Sequence, residues 1–198
     1  MYPRSIKKLI ESFKLLPGIG EKTAERMAFY MLELEQDKAQ FFSESILEVK
    51  EKIHRCPTCN NYTDEELCTI CTNESRNKSI LCIVEDPKSI ILFEKLGSFT
   101  GLYHVISGLI SPLDGVNPED IGLEKLVKRI ENSNFSEIVI AVKPSIEGET
   151  TSLYIKKILE SLKIKVTRIA SGVPLGTDIE YIDVMTLERA LADRKEIE

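Results

Sequence analysis

Four of the five cysteines in this 198-residue chain fall in a pattern suited to coordination chemistry. Cys56-Pro57-Thr58-Cys59 and Cys68-Thr69-Ile70-Cys71 are two C-x-x-C knuckles separated by eight residues. Each knuckle lets two thiolates converge on one ion, and the polar hairpin between them brings the pairs together. Tetrahedral Zn²⁺ with four sulfurs at about 2.3 Å satisfies this geometry, and with no open position such a site is structural. The metal then substitutes for a hydrophobic core that so short a module cannot build. The alternatives are chance pairs or redox dithiols, but a redox C-x-x-C normally opens a helix in a βαβ context and one would suffice. Cys82 lies in a strand pattern and is expected to be a buried small hydrophobe.

A second constellation is Leu16-Pro17-Gly18-Ile19-Gly20-Glu21-Lys22-Thr23-Ala24-Glu25-Arg26. Gly18 and Gly20 permit backbone conformations and close approach that a side chain would obstruct. The amides opening the helix that follows carry the positive end of its dipole, which suits a phosphate. Lys22 and Arg26, one turn apart, would face that phosphate. The pattern resembles the helix-hairpin-helix motif of DNA repair proteins, which grips the sugar–phosphate backbone without reading sequence. The string is not a P-loop, since Lys does not follow Gly20 and no strand precedes it. A plain αα-hairpin with a Pro-Gly turn is the remaining alternative. Lys7, Lys8, Lys14, Lys22 and Arg26 outnumber Glu11, Glu21 and Glu25 nearby, giving a local basic patch.

The third constellation is acidic. Glu85 follows the apolar run Ile80–Val84, and Glu147-Gly148-Glu149 follows Ile138–Val142 after a short loop. Carboxyl ends of parallel strands form the crevice where ligands bind. Three carboxylates meeting there could hold Mg²⁺ for phosphate chemistry. The alternative is that Glu147 and Glu149 simply favour a helix N-terminus.

The elements that must position these groups change texture along the chain. Apolar residues recur at helical spacing through Ile6, Leu9, Ile10 and Phe13, again through Ala24, Met27, Ala28, Met31 and Leu32, and in a third helix from about Ala39 to Ile53. Asn73 to Lys78 reads as a linker. Beyond it, strands at 80–84, 103–106, 138–142 and 165–169 alternate with helices near 90–96, 121–130 and 151–162, and a last helix spans about 186–194. Continuous apolar strands between helices imply a parallel α/β sheet with covered faces. The expected fold class is therefore α/β and multi-module: a helical hairpin module over 1–54, a four-cysteine zinc finger over 55–72, a parallel α/β domain over 79–174 and a C-terminal segment over 175–198.

The formal net charge is −6 and the pI about 5.2, so any DNA contact must come from a local basic patch or from an assembly that concentrates one. The N-terminus shows no secretory pattern, and no apolar run approaches the roughly 20 residues needed to span a bilayer. A cytoplasmic location and no membrane partner are the expectation. A disulfide framework is disfavoured.

Taken in order, these pieces resemble the RecR family of recombination mediators: a helix-hairpin-helix motif, a four-cysteine knuckle and a Toprim-like domain. The resemblance rests on Leu16–Gly20 with Ala24 and Arg26, the four cysteines, Tyr103-His104-Val105, Ile110–Gly115, Glu147–Thr150, Gly172–Gly176, Glu180–Asp183 and Thr186-Leu187. It implies a ring-like homo-oligomer, dimer to tetramer, that encircles single- or double-stranded DNA without sequence preference. It also implies partnership with RecO and RecF in loading RecA at gaps, one structural zinc per chain and no catalytic residue. By the same analogy Glu85, Glu147 and Glu149 serve as a candidate Mg²⁺ site or partner contact. Lys143, Ser171 and Thr177 depart from the family pattern, and Lys143 could pair with a carboxylate and weaken Mg²⁺ binding.

Two other classes compete. A metal-dependent nuclease or strand-transfer enzyme would use Glu85, Glu147 and Glu149, but no nucleophile or conspicuous general base accompanies them: His54 adjoins the knuckle, and His104 lies in a strand where a core role is expected. A protein-interaction scaffold with incidental DNA affinity would suit the acidic pI.

Overall fold

The amphipathic pattern that opens the chain becomes two packed helices in the computed structural model, which describes residues 2–170, 172–194 and 196. Helix α1 (Arg4–Lys14) and helix α2 (Glu21–Glu33) bury Ile10 and Phe13 against Ala24 and Ala28, with Ile6, Leu9, Met27 and Met31 around them. Ala24 and Ala28 are fully enclosed, and their small side chains let the two backbones come close. Helix α3 (Gln36–Lys52) starts three residues ahead of the expected Ala39 and buries no residue at all. These helices form the unit Met1–Ile53, and the rest of the chain forms a second, His54–Glu198.

The second unit begins with a two-stranded antiparallel ribbon, β1 (His54–Arg55) and β2 (Tyr62–Thr63), followed by a single helical turn α4 (Thr69–Thr72). Its body is a four-stranded, all-parallel sheet in the order β4-β3-β5-β6: β3 (Asn77–Val84), β4 (Gly101–Val105), β5 (Glu137–Ala141) and β6 (Lys165–Arg168). The chain enters at the central β3, steps out to β4, then crosses back to β5 and β6. Helices α5 (Pro87–Leu96), α6 (Leu123–Glu131), α7 (Ile146–Ile158) and α8 (Val184–Ala192) complete the unit.

Alternation along β3 divides the core in two. Leu81 and Ile83 join Ile138, Ile140, Leu126, Ile130 and Ile155 under α6 and α7. Cys82 and Val84 join Tyr103, Val105 and Ile90 under α5, where Ile70 of α4 also packs. Cys82 is fully buried in that apolar layer, and burial pushes its thiol up to about 12, as its strand position predicted. β3 already begins at Asn77, inside the expected linker; its first residues are polar and partly exposed, so they carry no apolar periodicity.

The two ribbon strands and α4 cap the sheet's edge. The Val105 N–H donates to the Cys59 carbonyl at 2.8 Å, and Asn60 Nδ2 donates to the Val105 carbonyl at 3.0 Å. The outer edge of β4, which would otherwise expose unpaired backbone, is thereby partly occupied.

Candidate functional site

In the hairpin between α1 and α2, the Ile19 N–H donates to the Leu16 carbonyl at 3.2 Å across Pro17 and Gly18. Gly18 has φ +80°, as the third residue of such a Pro-Gly turn requires. Gly20 differs: its φ of −87° is open to any residue, and a Cβ there would meet nothing within 4 Å. The fold itself therefore does not demand glycine at 20, and what its bare backbone offers is access from outside. No side chain caps the N-terminus of α2. Lys22 and Arg26 are exposed beside it, and among the described residues no ion pair or hydrogen bond holds either head group. Lys14, in contrast, is tied to Glu11 at 3.0 Å and to Glu21 at 2.7 Å. The free basic surplus thus rests on Lys7, Lys8, Lys22 and Arg26 rather than on Lys14.

The four predicted zinc ligands converge. Cys56, Cys59, Cys68 and Cys71 offer sulfur atoms that all lie within 4.8 Å of one another, and the first three side chains are buried. Four sulfurs at about 2.3 Å from a tetrahedral ion stand about 3.8 Å apart, so the cluster fits one structural Zn²⁺. Local backbone builds it. Asn60 takes a left-handed φ of +64°, turning the chain after the first knuckle so that the Asn60 N–H donates to the Cys56 carbonyl at 2.8 Å. Short α4 turns the second, with the Cys71 N–H donating to the Cys68 carbonyl at 2.9 Å. The Cys59 and Cys68 sulfurs are 3.4 Å apart. Their hydrogen bond pushes the Cys59 thiol up and holds Cys68 down. Four thiolates at this spacing repel one another, and a divalent cation offsets that repulsion.

Sequence reasoning did not find the support behind this cluster. His104 is buried on β4, consistent with the expected core role. Burial, reinforced by Arg129 and Lys125, lowers its imidazole to about 3, so it is neutral. Arg129 of α6 donates to the Tyr103 carbonyl at 2.6 Å and to His104 Nδ1, 3.2 Å away. Only the amphipathic spacing of α6 hinted at Arg129, and that spacing reads it as a solvent-facing flank.

The three glutamates do not meet as expected. Glu85 and Glu147 border one open groove with Asp86 and Asp114, at the carboxyl ends of β3 and β5 where the strand order reverses. Glu149 lies in a separate, smaller pocket with Arg168 and Arg189. Its carboxylate accepts hydrogen bonds from Arg189 at 2.5 Å and from Arg168. The hydrogen bond from Arg189 is the main reason its pKa is lowered. The cause of the divergence is local. Ser145 caps α7, accepting from the Gly148 N–H at 3.2 Å, so the helix starts at Ile146 rather than the expected Thr151. Glu147 and Glu149 sit in its first turn and point apart. Ser145 Oγ donates to Glu147 at 2.6 Å and lowers its pKa. Glu85 accepts from the Lys143 backbone N–H at 3.1 Å, while the Lys143 side chain forms no ion pair among the described residues. Among those residues, the only group of three or more candidate ligands close enough for one ion is the cysteine quartet. Ser171, another predicted departure, lies outside the described residues.

A glycine hairpin with an open helix start, a tetrathiolate module and a parallel sheet with an acidic groove define a class: a modular zinc-bearing protein of the kind that handles nucleic acid. Family models match every part in order: the RecR helix-hairpin-helix over residues 6–50, the RecR four-cysteine zinc finger domain over 53–73, the Toprim domain over 79–170 and the RecR C-terminal region over 172–195. The chain belongs to the RecR family. This domain set supports a recombination mediator role, and the helix-hairpin-helix is consistent with DNA binding. No helix among the described residues is long and apolar enough to cross a membrane.

Proposed function

We propose that the protein is a non-catalytic DNA-binding mediator of recombinational gap repair. It acts with RecO and RecF to promote RecA loading and works at the nucleoid as a ring-shaped homo-oligomer, dimer to tetramer. Its hairpin module (1–54) holds the sugar–phosphate backbone of single- or double-stranded DNA through the Gly18–Gly20 turn, Lys22 and Arg26. The zinc finger (55–72) is structural, the Toprim domain (79–174) presents Glu85 and Glu147 to partner proteins, with Mg²⁺ as an alternative ligand there, and the segment 175–198 serves oligomerisation.

One observation carries this reading: the uncapped start of α2 lies beside two exposed cations that no carboxylate neutralises among the described residues. Amides and side chains there offer the donor set that a phosphate needs. The oligomer is supported by α3, which leaves Phe41, Ile46, Leu47 and Val49 more than half exposed. Apolar surface gathered on one helix is the kind that association covers. A ring would also reconcile DNA binding with a net charge of −6, because Lys22 and Arg26 of several copies would line one channel. Glu149 is withdrawn from metal duty by its two arginines, and that favours contact over catalysis.

The test is one incubation of the pure protein with labelled gapped DNA and Mg²⁺, divided between native and denaturing gels. The expected result is a shifted, uncut substrate. Cleavage that Glu147→Gln abolishes would make the protein an enzyme instead.

A further inference from the structure

DNA binding leaves two polar side chains of the second unit unexplained, the buried His104, which lies against the first knuckle, and the half-buried Arg129 hydrogen-bonded to it. Arg129 carries a fixed positive charge and is desolvated by burial, yet no carboxylate pairs with it among the described residues. Even a half-buried guanidinium without a counter-charge is costly. Burial holds its pKa down, and the negative charge of Cys71, Cys59, Cys56 and Cys68 works against that shift. Once those four ionise around a divalent ion, the centre has a net charge of −2 by simple addition of one 2+ ion and four thiolates. Arg129 then carries the opposite charge to that centre.

His104 completes the link. A guanidinium has only donors, so His104 Nδ1, 3.2 Å from Arg129, must be the accepting nitrogen and Nε2 carries the proton. On its other side the ring lines one pocket with Cys56, Pro57 and Asn60 of the first knuckle. One imidazole thus lies between Arg129 and the first knuckle. On the strand side the Cys59 carbonyl accepts from Val105 at 2.8 Å, and Asn60 Nδ2 donates to the Val105 carbonyl.

We propose that Arg129 is the counter-charge of the zinc–tetrathiolate centre and that His104 is a positioning residue holding the first knuckle against it. The zinc affinity of this chain is then set partly from helix α6 and strand β4 rather than by the four cysteines alone. Outer partners of metal ligands commonly tune affinity about 10–100-fold. The proposal rests on the zinc reading of the quartet.

The experiment titrates the zinc-loaded full chain with a chromophoric chelator and reads the chelator concentration that removes half the metal. Zinc content of the untreated proteins is measured first, so that a chain that never binds zinc is distinguished from one that binds it weakly. Arg129→Met is expected to release zinc at about 10–100-fold lower chelator, while Arg129→Lys, which keeps the charge, stays nearer the parent. Leu126→Ala, on the same helix and facing the core, should lower the melting temperature and leave zinc release unchanged. Parental zinc release from Arg129→Met, or equal zinc loss from Leu126→Ala, would reduce Arg129 to a strut of the core and overturn the proposal. If Arg129→Met does not fold, the Co²⁺-loaded Arg129→Lys protein decides. Moving the charge should shift its sulfur-to-metal charge-transfer band, and an unmoved band counts against the proposal.

Discussion

The four cysteines and the three glutamates both read as candidate metal ligands in the sequence, yet the chain gathers the first set and disperses the second. The difference lies in what connects them. The cysteines belong to one stretch of 16 residues, Cys56–Cys71, and their positions follow from two local turns, one made by Asn60 and one by α4. The glutamates lie on separate elements, and where each carboxylate points depends on a cap, a helix start and neighbouring cations that spacing does not encode. Closely spaced ligands in a turn are thus a more reliable sign of a metal than acidic residues at strand ends.

The strongest way to break this contrast is to remove one thiol. Cys68→Ser is expected to lose stoichiometric zinc, and with it more than about 4 kcal/mol of stability in the second unit. Metal analysis paired with thermal melting checks both. A variant that melts like the parent while lacking zinc would show that the quartet does not support the fold.

Next in size is Gly148→Ala, which tests whether backbone fit positions the acidic residues. A Cβ at Gly148 would lie 1.9 Å from the Lys143 carbonyl oxygen, so the start of α7 must move. A loss on the order of 1–3 kcal/mol is expected, measured by urea unfolding. In the hairpin, the matched pair Gly18→Ala and Gly20→Ala should divide. The first costs about 1 kcal/mol because of its positive φ, while the second leaves stability within about 0.5 kcal/mol and weakens DNA binding.

The smallest effect belongs to Glu149→Gln. Its two arginine partners are partly exposed, so solvent screening limits the loss at neutral pH to about 1 kcal/mol or less. The sign is definite. A carboxylate whose folded-state pKa is lowered stabilises the protein above the ordinary value of about 4.3, and that contribution disappears as pH falls through the depressed value. The variant should therefore lose less stability than the parent between neutral and acid pH. An unchanged pH profile would mean that the two arginines do not distinguish the ionised form.

Much of the frame was legible in the sequence. The apolar runs 80–84 and 138–142 became β3 and β5, and helical spacing located α1 and α2. The quartet was readable because its geometry is local. Two things were not. Polar starts hid the first residues of β3 and the true beginning of α7, since hydrogen-bonded caps and half-exposed strand ends carry no apolar period. Arg129 and His104 were invisible as a pair because they lie 25 residues apart and meet only once α6 packs beside β4. Likewise Glu149 needed the fold of α8 to bring Arg189 to it.

The central claim is that the hairpin of the first unit binds the nucleic-acid backbone. The most direct measurement is the affinity for single-stranded DNA across a series of salt concentrations, for the parent and for the double variant Lys22→Glu, Arg26→Glu. Backbone gripping predicts that the parent's affinity falls steeply with salt, and that the variant binds weakly with a much shallower slope. A variant that keeps both the affinity and the slope of the parent would contradict the account and move the DNA contact away from the hairpin.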